Sequence, residues 1–340
     1  MERSDIEALA HGCSLLGSGG GGRTTYLELL AAQAAWPITL HDVSDLDPTT
    51  PCIAAAFAGS TMLIAERLPA AGSFRPLIAA VERWLGHDVP ALCSFEVGGM
   101  NGLTGFVAAE GRMLVDADGM GRALPRMDQL SLAVDGVPGL VFAVGTGHGV
   151  AVIESPNADE AEAVVRSALR QAGGTGSVVV GGFTVGDLVA HAMPGMLSHA
   201  LRLGAQYLQA RDERLEDFAA AIGGRLLAQG RIGASEGDAD PQVHSYEIDD
   251  IDGTVHRLVT RTETLALVSD GRLVSASPDV LVVVDPRTKD IIEVPQLKLQ
   301  QQVAVIELPV ADWWRRSATR LRRVLPSFYG LEALDPVAAA

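Results

Sequence analysis

Leu16-Gly17-Ser18-Gly19-Gly20-Gly21-Gly22-Arg23-Thr24-Thr25-Tyr26 places four consecutive glycines ahead of an apolar-periodic segment that reads as a helix. Glycine loses more conformational entropy on folding than any other residue, so such a run marks a place where bare backbone is needed. Two needs fit. Backbone amides at a glycine-rich turn feeding a helix form a concave set of donors suited to a carboxylate, a phosphate or a developing oxyanion. The other reading is a tight turn or the close approach of a neighbouring segment. Nucleotide-binding patterns do not fit, because no Lys-Ser or Lys-Thr follows the glycines and no clear strand precedes them.

Outward from this loop the pattern is mixed. Residues 4–16 carry Ile6, Leu9, Ala10, Cys13 and Leu16 on one helical face, with Ser4 and Glu7 spaced as a capping box. A second helix is predicted over 25–35 and a third over 76–85. Strands are predicted at 38–40, 52–57, 91–96, 113–116, 130–134, 139–144 and 150–155, and a helix at 158–171. Gly173-Gly174-Thr175-Gly176-Ser177 reads as a flexible linker. Beyond it come a helix pair, 185–203 and 205–221, and β-like runs at 225–231, 243–249, 255–260, 264–269, 280–284 and 302–308. The acidic stretch 233–240 reads as a mobile surface loop. The expected fold class is α+β with two domains: an N-terminal mixed α/β domain over 1–172 and a β-rich C-terminal domain over 173–340.

At 340 residues and 48% hydrophobic content, the chain can fill two cores. A net charge of −16 repels both a nucleic-acid backbone and an anionic membrane surface, so neither is an expected partner. Met1-Glu2-Arg3-Ser4-Asp5 lacks the start of a secretory signal, and no apolar run is long enough to span a bilayer; the expected location is cytoplasmic. The three cysteines, Cys13, Cys52 and Cys93, show no metal or disulfide spacing and read as reduced thiols. Met193 and Met196 on an apolar helix, and Trp313-Trp314, predict a homo-oligomer.

Two further segments combine charge, amide and glycine. In Cys93-Ser94-Phe95-Glu96-Val97-Gly98-Gly99-Met100-Asn101-Gly102 a strand delivers a carboxylate to its C-terminal end, with Asn101 beside it. In Val115-Asp116-Ala117-Asp118-Gly119-Met120-Gly121-Arg122-Ala123-Leu124-Pro125 another strand ends in two carboxylates followed by a guanidinium. Both read as active-site loops at strand ends, against the alternative of an Asx-type turn with a local ion pair. No cofactor is read from the chain. The eight histidines show no paired-ligand spacing, which leaves as a divalent-metal reading an oxygen-rich site from Glu66, Glu96, Asp116 and Asp118, set against plain acid–base use of the same groups. Cys13 and Cys93 lie beside these segments, either as thiols activated near the glycine-rich helix start or as buried core.

At these residues the sequence resembles the S-methyl thiohydantoin desulfurase family, over nearly the whole chain. The likeness rests on the glycine loop, on Glu96-Val97-Gly98-Gly99-Met100-Asn101, on residues 116–125, on Ser277-Pro278-Asp279-Val280-Leu281 and on Pro326-Ser327-Phe328-Tyr329-Gly330. It implies an N-terminal α/β domain, a β-rich C-terminal domain and hydrolysis of the carbon–sulfur bond of a methylthio-substituted hydantoin ring. The chain departs from the family where Arg23-Thr24-Thr25-Tyr26 stands in place of Asp-Pro-Tyr, and where Thr262-Glu263 only partly matches an Asn-Glu pair.

The resulting expectation is a hydrolase acting on a small heterocycle. Glu96, Asp116 or Asp118 would be the general base beside Asn101, while the amides of Gly19, Gly20, Gly21 and Gly22, with Arg122, hold the anionic group. Glu66 is expected at the substrate, and Arg23 favours a substrate bearing a carboxylate. The alternative is a non-catalytic ligand-binding or regulatory subunit that works with a hydantoinase-type enzyme.

Overall fold

In the computed structural model, residues 1–66, 68–70, 72–238 and 240–336 are described. The first sheet contains β1 (Leu40–His41), β2 (Pro51–Gly59), β3 (Ala91–Ser94), β4 (Met113–Asp118), β5 (Val141–Gly145), β6 (Val150–Glu154), β7 (Thr175–Thr184) and β8 (Met193–Pro194). Its order is β1-β4-β3-β2-β7-β5-β6, with β8 on β4. β1, β4, β3 and β2 run parallel, and β7 joins β2 in the opposite sense. The helices are α1 (Ile6–Leu16), α2 (Thr25–Ala31), α3 (Thr61–Glu66), α4 (Arg75–Leu85), α5 (Thr104–Ala108), α6 (Ser131–Val134), α7 (Ala158–Gln171), α8 (Val185–His191), α9 (Met196–Ala210), α10 (Leu215–Ala221) and α11 (Ala318–Arg322). Parallel neighbours need crossover connections, and α3, α4 and α5 supply them for β2, β3 and β4. Cys52 to Phe57 are buried without alternation, as strands covered on both faces require.

The second sheet is antiparallel: β9 (Arg225–Gly237), β10 (His244–Asp250), β11 (Val255–Thr260), β12 (Thr264–Ser269), β13 (Arg272–Ala276), β14 (Val280–Val284) and β15 (Gln302–Leu308), in the order β13-β12-β11-β10-β9-β15-β14. It forms a half-barrel, so the chain has the expected mixed α/β first part and β-rich second part. Side-chain alternation explains how β14 and β15 join the two. Val280, Val282, Val284, Ala304 and Ile306 enter the large core shared with the first sheet, whereas Leu281, Val283, Val303 and Val305 enter a second core inside the half-barrel.

Several local expectations are corrected. Gly173-Gly174-Thr175-Gly176-Ser177 is no free linker: Thr175 begins β7, which sits in the first sheet between β2 and β5, and that sheet takes in β8 beyond it. The segment 130–134 is helical, because Ser131 N–H donates to Gly119 O at 2.8 Å and turns the chain after the Met127–Gln129 3-10 turn; a short apolar run does not separate strand from helix by periodicity. Gly233 to Gly237 continue β9, paired to β10, and are not a loose loop. The long helix predicted at 185–203 is broken by β8 into α8 and α9. Capping at the N-terminus uses Glu2 and Asp5 in place of Ser4 and Glu7. Trp313 and Trp314 are buried in the large core together with Met193 and Met196, so the residues that suggested an oligomer face already lie inside the chain. Among the described residues, no helix is long and apolar enough to cross a membrane.

Candidate active site

Ligands of open α/β sheets gather beyond the carboxyl ends of strands, where neighbouring connections diverge. Here β2 has parallel β3 on one side and antiparallel β7 on the other, and a cavity of about 590 Å³ opens at their ends. One wall is Ala56–Gly59 of β2 with Phe95, Glu96 and Asn101 following β3; a second is Arg166, Leu169 and Arg170 of α7; a third comes from the half-barrel, with His244 and Tyr246 of β10 and Arg261-Thr262-Glu263 between β11 and β12. This volume lies within the usual range for small-molecule sites.

Glu96 is the best-defined group in it. Its Oε2 accepts from Asn101 Nδ2 at 2.7 Å and its Oε1 from Leu124 N–H at 2.8 Å. Asn101 is itself clamped to β2: Oδ1 accepts from Phe57 N–H at 2.8 Å and Nδ2 donates to Phe57 O at 3.0 Å. Burial pushes the Glu96 carboxyl up to about 8, which the two donors only partly oppose, and neighbouring Glu263 adds to the rise. Glu263, only 4% exposed, is likewise raised by burial. It differs in having two guanidiniums nearby, Arg122 and Arg261, and a hydroxyl donor in Thr262, all of which favour its charged form. The cavity therefore holds two buried carboxyl groups from different parts of the chain, both raised by burial; Arg122 lies near both, and Arg261 adds a second cation beside Glu263.

The glycine run makes this proximity possible. A Cβ on Gly20 would lie 2.6 Å from Glu263 Cγ, and one on Gly21 would lie 2.7 Å from Gly99 Cα. The N–H groups of Gly20 and Gly21 both turn back onto Gly17 O, at 2.9 and 3.1 Å. Close approach, the second reading of the run, is thus what Gly20 and Gly21 show, and both line the cavity. Gly19 and Gly22 lie away from it, on a second cavity of about 740 Å³ on the other side of the loop.

Arg23 is on that second cavity too, exposed and beside Glu293 and Gln296. Glu66 is exposed at the end of α3 and does not line the main cavity. Asp116 accepts from Leu197 N–H at 2.9 Å and Ser198 N–H at 3.4 Å, holding the first turn of α9. Asp118 is fully buried and accepts from the N–H groups of Met120 and Gly121, folding the 119–121 turn; burial raises its carboxyl to about 6. Arg122 donates from Nη1 to Pro278 O at 2.7 Å and Asp279 O at 2.8 Å, stapling the first sheet's loop to the half-barrel. Of the expected polar side chains, the structure brings Glu96 and Asn101 into the cavity lining, while Asp116, Asp118 and Arg122 stand outside that lining with hydrogen bonds to backbone groups; among the described residues, Asp118 Oδ2 is buried without a partner.

Burial raises the Cys13 thiol, and a hydrogen bond with Cys52 together with burial raises that of Cys93, which opposes the thiolate form that a nucleophile needs. Among the described residues, no group of three or more His, Cys, Asp or Glu is placed to hold a metal ion.

Sequence reasoning missed Arg126, Arg166, Arg170, His244, Tyr246 and Arg261. Two signals were present: Arg166 and Arg170 are spaced four apart on a helix, and His244 and Tyr246 are two apart on a strand, so each pair shares a face.

Residues 4–155 match the model of the S-Me-THD-like N-terminal domain and residues 156–337 that of the S-Me-THD-like C-terminal domain. The chain belongs to the S-Me-THD-like family. The family boundary at 155/156 falls between β6 and α7, ahead of the boundary expected at 172/173. Among curated proteins none matches the chain. In fold it is similar to the X-ray crystal structure of a protein from Chromobacterium violaceum, with 21% identity, a TM-score of 0.82, and coverage of 99% of this chain and 98% of that one.

Proposed function

We propose that the cavity hydrolyses the carbon–sulfur bond of an S-methylated thiohydantoin ring, with Glu263 as general base and Glu96 as general acid. The observation that carries this reading is the pair of neighbouring buried carboxyl groups in one cavity, Glu96 held by two neutral donors and Glu263 flanked by Arg122 and Arg261; family membership supplies the substrate class. Two neighbouring buried carboxyl groups that differ in their charged neighbours can divide the acid and base roles at one centre.

Glu96 holds its proton at neutral pH. Its two oxygens accept from Asn101 and Leu124, which fixes the carboxyl group at the cavity wall. Glu263, favoured as the anion by Arg122 and Arg261, takes a proton from water as the water oxygen bonds to the amidine-like ring carbon. Glu96 gives its proton to the ring nitrogen that was double-bonded to that carbon. The tetrahedral intermediate then forms a carbonyl and breaks the carbon–sulfur bond, its hydroxyl proton returning to Glu96. Methanethiolate leaves with the proton from Glu263, so one water is consumed and a hydantoin and methanethiol are formed. Asn101 is a positioning residue, fixing Glu96 against β2.

The test is incubation of the purified protein with an S-methyl thiohydantoin, following methanethiol with a thiol reagent and the ring product by mass spectrometry. Enzyme-dependent release of both is expected. Saturable binding with no release would favour the ligand-binding subunit instead.

A further inference from the structure

We infer that Tyr329 is a positioning residue for Glu263, its ring carrying the Arg261 guanidinium that stands beside that carboxyl group; this rests on the reading of Glu263 as the general base. The observation behind it is that a segment outside the cavity lining, the 3-10 turn Pro326–Tyr329, supports two arginines that belong to the lining. Arg261 lies over the Tyr329 ring with its Cζ 5.4 Å from the ring centre, and Arg126 lies over the adjoining Phe328 ring at 5.5 Å. Both distances are those of a cation attracted to an aromatic face. The two rings meet edge to face, their centres 5.4 Å apart.

The turn is itself held in place. Fully buried Gln129 donates from Nε2 to the Tyr329 hydroxyl at 2.8 Å and to Arg323 O at 2.6 Å. Ser327 N–H donates to Asp335 Oδ1 at 2.7 Å, and Gly330, at a φ of +78°, lets Leu331 N–H return to Pro326 O at 3.1 Å. Burial, with Glu263 close by, pushes the Tyr329 hydroxyl well above its ordinary value, so the ring stays neutral and keeps its attraction for a cation. The other partners of the Arg261 side chain give it less. Its Nε reaches Asp240 Oδ2 at 3.3 Å, and that carboxylate is 38% exposed, a pair of the weak surface kind. Its Nη2 donates to the amide oxygen of exposed Gln242.

Arg261 and Glu263 leave one short turn, closed by Arg261 N–H donating to Glu263 O at 2.8 Å, so the direction of the Arg261 side chain decides how its charge meets the carboxyl group. The charged and titratable groups facing Glu263 are Arg122, Arg261, Glu96 and Tyr329, with the Thr262 hydroxyl as donor. Arg122 is anchored to Pro278 O and Asp279 O. Arg261 is the cation whose hold depends on a ring. That ring covers one face of the guanidinium and keeps water from it, so its attraction for Glu263 is screened less. Without the ring Glu263 loses part of what favours its charged form and keeps its proton to higher pH.

The experiment is the pH dependence of kcat/KM for an S-methyl thiohydantoin in the wild type, Tyr329→Leu, Tyr329→Phe, Arg261→Gln and the double variant of Tyr329→Leu with Arg261→Gln. Tyr329→Leu and Arg261→Gln are each expected to move the acid limb up by about one pH unit, a tenfold loss of rate below the limb and the low end of what a lost opposite charge does. The double variant should show no further move, because both changes remove the same contact. Tyr329→Phe keeps the ring and should bring the limb back to its wild-type position. If Tyr329→Leu does not fold, Tyr329→Phe with a fluorinated ring keeps the shape, weakens the attraction for a cation and is expected to raise the limb. An unmoved limb, or a further shift in the double variant, overturns the inference. Carboxyl-carbon NMR titration of Glu263, assigned by its absence from Glu263→Gln, reads the same shift without turnover. A shift there with no methanethiol release from any of the proteins keeps the link between Tyr329 and Glu263 and defeats the hydrolytic reading; release with an unmoved limb does the reverse.

Discussion

The chain beyond β3 and the chain at the end of β4 are built to one plan, a parallel strand that ends in acidic side chains and passes into a glycine-containing turn. They are put to different uses. At Asp116 and Asp118 the carboxylates turn back on their own surroundings, one onto the N–H groups that open α9 and the other onto the turn at Met120 and Gly121. At Glu96 the longer side chain reaches the cavity, with one side-chain amide and one backbone N–H holding it. What separates the two strand ends here is which carboxyl faces open volume: Glu96 lines the cavity, and Asp116 and Asp118 do not.

The most direct way to break this comparison is by rate. Glu96→Gln and Glu263→Gln are each expected to lower turnover of an S-methyl thiohydantoin by about 10²–10⁴-fold, the usual contribution of a positioned acid or base. Asp116→Asn should leave turnover unchanged and lower unfolding free energy by about 0.5–1 kcal/mol, through the weakened charge at the start of α9. Initial rates and urea melts on the three variants decide it. A large rate loss in Asp116→Asn with an intact melt would erase the distinction.

That the two strand ends look interchangeable in the sequence has a physical basis. Strand identity and the turn after it are encoded locally, by apolar runs and glycines, and β2, β3, β11, β12, β14 and β15 are found within a few residues of where periodicity places them. Glu96 and Asn101 were legible because they fall at such a strand end. The partner of Asp116 lies some eighty residues on, at Leu197 and Ser198, and the opposite wall of the cavity comes from Arg261 to Glu263. No local pattern reports contacts at that separation. Gly173 to Ser177 failed for the same reason: small residues that look like a linker are here a strand edge entering the central sheet, where Gly176 meets the neighbouring Gly145 backbone. The cavity arginines were invisible because a charged residue on a helix reads as solvated face until something else is folded against it.

Stability against pH sharpens the comparison more finely. Below the ordinary glutamate value of 4.5, Glu96 is neutral in both folded and unfolded chains. As the pH rises further the unfolded chain ionises while the folded one keeps its proton until about 8, so folding stability contributed by this group is present in acid and lost across that window. The slope approaches about 1.4 kcal/mol per pH unit, and the whole loss is at most about 5 kcal/mol. Glu96→Gln removes this titration, so its melting temperature should gain on the wild type steadily from pH 5 to pH 8, whatever offset its altered hydrogen bonding introduces. A wild-type profile parallel to that of Glu96→Gln would mean that Glu96 is ionised in the folded state and is no general acid.

The smallest expected effect lies at Arg23, on the far side of the glycine loop. An arginine at a glycine-rich turn looks like part of an anion site, but its neighbours, Glu293 and Gln296, belong to the second cavity. Arg23→Asp would exchange an attraction to Glu293 for a repulsion and place an acid ahead of the short helix α2, two terms of opposite sign at an exposed position; the net change in stability should stay within about 0.5 kcal/mol. Affinity for the hydantoin product should not move, because Arg23 lines the second cavity and not the one that holds Glu96. Calorimetry on Arg23→Asp beside Glu263→Gln makes the two cavities compete directly. A tenfold loss in the first and none in the second would transfer the ring to the second cavity, and with it the role argued for Glu96 and Glu263.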